Sequence, residues 1–133
     1  MDSELLDIIN SLIDVDKRGG VFDLASIKPN IRNAGYPSII PYDKSNAKYL
    51  GDILSEEDLQ HLIRGLVKYS QAAGPSKSGG SASPVIPIYT VYAEKYPACE
   101  AELTSWIIRN RVNDYDPFGT SSNCSSYKEF CEM

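Results

Sequence analysis

Apolar residues recur at helical spacing in two well-separated stretches, and this constrains the fold more than any other feature of the chain. Leu5, Ile8, Ile9, Leu12 and Ile13 fall at i, i+3, i+4, i+7 and i+8. That spacing gathers them on one face of a helix. Leu59, Leu62, Ile63, Leu66 and Val67 repeat the pattern. A helix is therefore predicted over 3–15, with Asp2 or Ser3 as its cap and Gly19-Gly20 at its end. A second is predicted over 56–70, where Ser55 and Asp58 form a capping-box-like start and Gly74-Pro75 a stop.

The remaining segments are assigned around these two. Leu24, Ile27, Ile31 and Ala34 keep helical spacing across Pro29, so 21–34 reads as two short helical pieces or one kinked piece closed by Gly35. Pro37 and Pro41 mark 35–51 as an ordered loop. In it Ile39, Ile40, Tyr42, Tyr49 and Leu50 are expected to pack inward. Residues 73–83, rich in Gly and Ser, read as a mobile loop. Residues 84–96 fit two patterns: Val85, Ile88, Tyr89, Tyr92 and Tyr96 suit a helix, and Ile86, Ile88, Thr90 and Tyr92 suit a strand. Pro87 is tolerated in a first helical turn, and no partner strand is evident, so helix is preferred. Another helix is expected over 98–111, with Cys99, Leu103, Trp106, Ile107 and Asn110 on one face. A turn follows at 113–119. Residues 120–133 form a loosely packed tail, in which a last helical turn holds Tyr127, Phe130 and Cys131. The expected fold is all-α, a single compact domain over 1–133 of about five helices with long ordered loops.

The 133 residues are 42% hydrophobic, enough for a core without a disulfide or metal staple. Cys99, Cys124 and Cys131 are odd in number and lack zinc-knuckle spacing, which implies free thiols in a reducing, cytoplasmic compartment. The acidic start Met1-Asp2-Ser3-Glu4 is unlike the basic opening of a signal peptide, and the apolar runs are too short for a membrane span. Net charge is −5, and residues 1–16 carry Asp2, Glu4, Asp7, Asp14 and Asp16 with no base. The rest of the chain is balanced. Its bases form no stripe, so the electrostatic footprint of a nucleic-acid binder is missing.

Five groups invite a chemical reading. Asp14, Asp16 and Gly19 match part of a calcium loop, but Arg18 stands at a ligand position and Ala25 where a bidentate Glu belongs. Helix capping by Lys17 and Arg18 is the simpler account. Asn113, Asp114 and Asp116 put three oxygen side chains in one turn, which suits either a divalent ion or Asx turns, and the latter are commoner. His61 would need a thiol or carboxylate beside it for proton-transfer or nucleophilic chemistry. It reads more simply as a partly exposed helix residue, and Cys99 as a core thiol. Gly74-Pro75-Ser76-Lys77-Ser78-Gly79-Gly80-Ser81 has phosphate-loop composition in the wrong order. Nine tyrosines and one tryptophan supply either core or binding anchors. Tyr89, Tyr92, Tyr96 and Trp106 are assigned to the core, while Tyr36, Tyr42 and Tyr49 are the better exposed candidates.

Gly35-Tyr36-Pro37-Ser38, Leu54–Leu59 and Asn113–Gly119 together resemble segments of small bacterial proteins. The resemblance implies a bacterial or phage origin and no particular activity. From the residues themselves the leading expectation is a non-enzymatic acidic interaction module of the inhibitor or immunity type. It would occlude a basic surface on a partner protein, with no metal or cofactor. Asp2, Glu4, Asp7, Asp14, Asp16, Glu56, Glu57 and Asp58 would carry the charge, and Tyr36 and Tyr42 the anchoring contacts. The alternatives are a nucleic-acid-linked regulator using Arg64, Lys68, Arg109 and Arg111, an enzyme centred on His61, and a structural subunit of a larger assembly.

Overall fold

The computed structural model describes residues 3–19, 39–74, 79–120 and 124–132. Among these the chain is all-α, with six helices: α1 Ser3–Arg18, α2 Lys44–Ile53, α3 Glu56–Ala73, α4 Val85–Lys95, α5 Glu100–Asn110 and α6 Tyr127–Cys131. A short 3₁₀ turn at Gly80–Ala82 precedes α4. The possible helical pieces at 21–34, and residues 75–78 of the expected mobile loop, lie outside the described residues.

The two periodic stretches form α1 and α3, and all ten of their pattern-defining residues are buried. The helices run antiparallel: Leu12 lies against Gly65, Asp16 against His61, and Lys17 against Asp58. The crossing is close because Gly65 has no side chain. A Cβ built there would sit 2.6 Å from the Leu12 carbonyl oxygen, well inside van der Waals contact. The Ser55 hydroxyl accepts the Asp58 N–H at 3.1 Å and so caps α3. Gly74, at φ +94°, ends it with its N–H on the Ser70 carbonyl.

Residues 44–53 correct the expectation of a loop over 35–51. Pro41 precedes the helix and does not interrupt it. The Asp43 carboxylate accepts the Asn46 N–H at 2.9 Å and starts α2. Ala47 and Leu50 then bury one face, and Gly51 lets Val91 of α4 approach. Ile39 and Ile40 are buried as expected, whereas Tyr42 and Tyr49 point outward.

α4 resolves the ambiguity at 84–96 in favour of helix. Pro87 occupies its first turn, and the Ser83 hydroxyl accepts the Val85 N–H. Tyr89 and Tyr92 are fully buried. Their hydroxyls need partners in an apolar interior, and each has them. Tyr92 donates to Glu56 Oε1 at 2.7 Å and accepts from Gln60 Nε2 at 2.8 Å, joining α4 to α3. Tyr89 bonds Thr104 and donates to Glu100 Oε2 at 3.1 Å, joining α4 to α5. Burial pushes both phenols well above the usual tyrosine range. Tyr96 and Trp106 are half-buried against the same apolar cluster, with the Arg64 guanidinium 5.9 Å from the indole centroid. Cys99 is exposed, because α5 begins after it and turns its face away from the core. In the tail, Tyr127 and Phe130 of α6 are partly buried against the core cluster. Cys124 and Phe118 are buried, and Phe118 stacks on Phe130 at 5.4 Å. Among the described residues no helix is long and apolar enough to cross a membrane.

Candidate interaction face

The acidic side of α1 and the first turn of α3 meet. Asp7, Asn10, Ser11, Ile13, Asp14 and Lys17 of α1 and Asp58 of α3 line one wide, open depression. Antiparallel packing produces this, since it sets the end of α1 beside the start of α3. Lys17 Nζ lies 2.8 Å from Asp58 Oδ1. The hydrogen bond to Asp58, aided by the charges of Asp58, Glu57 and Asp14, raises the Lys17 ammonium above its usual value. Arg18 Nη2 is 3.2 Å from Asp14 Oδ2 on the same helix face. Both pairs are exposed to solvent, so each adds little to stability. Their effect is local neutralisation, which leaves the depression with an excess of negative charge.

The expected charge-bearing residues divide into distinct groups. Glu4, Asp7, Asp14 and Glu57 are exposed. Asp58 is partly exposed at the depression. Glu56 is half-buried and accepts from Tyr92 and Gln60. Asp16 does not belong to the exposed set. It is turned into the α1–α3 seam, with Oδ1 2.6 Å from Lys68 Nζ and Oδ2 2.7 Å from His61 Nδ1. Helical spacing explains the difference: α1 continues through Arg18, and Asp16 follows Leu12 by one turn on the buried face. Asp2 and Tyr36 lie outside the described residues. Tyr42 is exposed at the start of α2 and does not line the depression.

The other chemical candidates dissolve into structural roles. The helical continuation of α1 replaces the partial calcium loop, and Asp16 is occupied by two side-chain cations or donors. His61 meets Asp16 on one ring nitrogen and Glu57, at 3.6 Å, on the other. Both ring nitrogens thus face carboxylates. Asn113 Oδ1 accepts the Tyr115 N–H at 2.9 Å in an Asx turn, Asp114 is exposed, and Asp116 is fully buried. Among the described residues no group of three or more His, Cys, Asp or Glu is arranged to hold a metal. Of the four bases proposed for nucleic acid, Arg64 lies on Trp106, Lys68 pairs with Asp16, and Arg111 donates to the Asp116 carbonyl at 3.0 Å.

Two features escaped the sequence reading. Ile53, 49% exposed, lies one turn on from Tyr49, an expected exposed candidate that is 44% exposed, and the two form a short outward apolar stripe on α2. The burial of Asp116 is the other. Neither of its carboxylate oxygens has a hydrogen-bond partner, although the residue is completely buried. Burial pushes this carboxyl up to about 6. The Ser83 hydroxyl and the Arg111 guanidinium oppose the shift from nearby, without closing a hydrogen bond to either oxygen. No protein family matches the chain, and no curated protein and no solved structure is significantly similar to it.

Proposed function

We propose that this chain is a non-enzymatic acidic binding module of the inhibitor or immunity type. Its α1–α3 face would receive a basic segment of a partner protein and act by occlusion. The observation that carries this reading is the convergence of two acidic stretches, far apart in sequence, on one open depression lined by Asp7, Asp14 and Asp58. A concave surface with one sign of charge in excess raises the local concentration and association rate of an oppositely charged partner. The exposed Tyr42, Tyr49 and Ile53 offer a second, apolar area where aromatic contacts can add affinity. Cys99, Cys124 and Cys131 form no disulfide with one another, which accords with action in a reducing compartment such as the cytoplasm.

The test is affinity capture from the native host with quantitative mass spectrometry at two salt concentrations. The wild type is compared with the charge-reversed Asp7→Lys/Glu57→Lys variant. The reading requires a basic protein that is enriched by the wild type, lost from the variant and weakened by salt. Equal capture by both proteins would remove it.

A further inference from the structure

We propose that Asp116 is a proton-operated latch: in its neutral form it lets the 115–119 turn seat against α4 and carry the C-terminal segment with it, and in its ionised form it drives that seat open. Three observations place the latch. The residue is fully buried and both carboxylate oxygens lack hydrogen-bond partners, so the charged form stands away from bulk solvent and is offset only in part, by the nearby Ser83 hydroxyl and the Arg111 charge. The charge facing it is Arg111 at the end of α5, but that guanidinium donates through Nη1 to the Asp116 backbone carbonyl. From the turn before α4 it meets the Ser83 hydroxyl, which already accepts the Val85 N–H. On its own turn Asp114 points to solvent, and on α5 the buried Glu100 is bonded to Tyr89 and Thr104.

What the latch would release is equally specific. Phe118, two residues on, sets its ring edge-to-face with Tyr89 at 5.5 Å and stacks on Phe130 of α6. Tyr127 packs on Phe130 and Tyr89. The attachment of α6 therefore runs in part through the turn that Asp116 anchors, beside the direct contacts of Tyr127 with Tyr89 and Glu94 of α4. Loss of that seat would bare an aromatic face on α4 while α1 and α3, held by their own seam at Asp16, His61 and Lys68, stay paired. The device is neutral-side open and acid-side closed. It thus differs from an acidic surface patch, which weakens on acidification.

The experiment is amide hydrogen exchange between pH 4.5 and 7.5, corrected for the intrinsic exchange rate, on the full chain. The readout is protection of 115–120 and 127–131 relative to α3. The wild type is expected to lose about 30-fold of relative protection across this range, the part of the shift from 3.8 to about 6 that falls between these two pH values. Asp116→Asn should show no such trend. A ¹³C-carboxyl NMR titration of the wild type supplies a readout that does not depend on the variant folding: the Asp116 resonance should titrate with the same midpoint as the protection loss. A flat wild-type profile, the same trend in the variant, parallel loss in α3, or a carboxyl midpoint below 4.5 would each overturn the proposal.

Discussion

Lys68 Nζ lies 2.6 Å from Asp16 Oδ1, across the seam between α3 and α1. The carboxylate side chain is only 4% exposed, and its other oxygen is held by His61. A buried carboxylate with two partners is expensive to disturb from either side. Asp16→Ala should therefore lower stability by about 2–4 kcal/mol, because it strands the ammonium. Lys68→Met should cost less, since His61 remains. Urea unfolding of both single variants and the double variant measures the coupling. Strictly additive losses would show that the pair is not an interacting unit.

A glycine-to-alanine change inside a helix ordinarily stabilises by up to about 1 kcal/mol. At Gly65 the sign should reverse. The added methyl would stand 2.6 Å from the Leu12 carbonyl oxygen, a backbone atom that cannot rotate away. Gly65→Ala is expected to destabilise by about 1–3 kcal/mol. Gly51→Ala should be milder, because the clash there is with the Val91 side chain. Thermal denaturation of the two variants checks the order; a neutral Gly65→Ala would mean that the helices do not touch at this point.

Tyr89 is the shared partner of Thr104 and Glu100 inside the α4–α5 interface. Tyr89→Phe keeps the ring and removes only the hydroxyl. The buried carboxylate then lacks one donor, at a cost of about 1–3 kcal/mol. Thr104→Val should cost a comparable amount, and the double variant less than the sum. Calorimetric unfolding of the three proteins tests this.

Asp116 gives the chain a distinctive pH dependence. Its carboxyl is raised in the folded state from 3.8 to about 6. The folded protein consequently binds more protons than the unfolded chain between those values, and stability falls as pH rises through that window. The contribution is complete below 3.8, gone above about 6, and amounts to about 3 kcal/mol. Chemical denaturation at pH 4 and pH 7 should show this slope in the wild type relative to Asp116→Asn. Parallel profiles for the two proteins would refute it.

Tyr42 and the short apolar stripe of Tyr49 and Ile53 on α2 make a separate prediction for binding. Tyr42→Ala and Tyr49→Ala should leave stability within about 0.5 kcal/mol, as expected for exposed side chains. They should also weaken capture of the partner by about tenfold or more if the stripe is a hot spot. Unchanged capture would confine the interface to the charged face.

The legible parts of the fold were those in which periodicity and burial coincide. Leu5 to Ile13 and Leu59 to Val67 carried α1 and α3 because each helix buries one whole stripe. Pro87 was correctly read as a first-turn residue, and Tyr89 and Tyr92 as core. α2 was hidden because only Ala47 and Leu50 with Gly51 face inward, a stripe too small and too poor in large side chains to stand out. Its start was written in Asp43, three residues before Asn46, and was obscured by the preceding Pro41. The acids could be counted but not oriented. Asp14 and Asp16 differ by two positions, about 200° around a helix, so one faces solvent and the other the seam. Asp116 had no local signal at all, since its burial depends on where α4 and α6 come to lie.

The close crossing at Leu12 and Gly65 bears on how any visitor would meet the molecule. Two helices in backbone contact, pinned one turn further by the Asp16 carboxylate between Lys68 and His61, have no room to slide or swing. A ligand arriving at the outer side of α1 would find a preorganised wall and would surrender little motional freedom of its host in settling there. Encounter rate, rather than rearrangement of this chain, would then set the pace of complex formation.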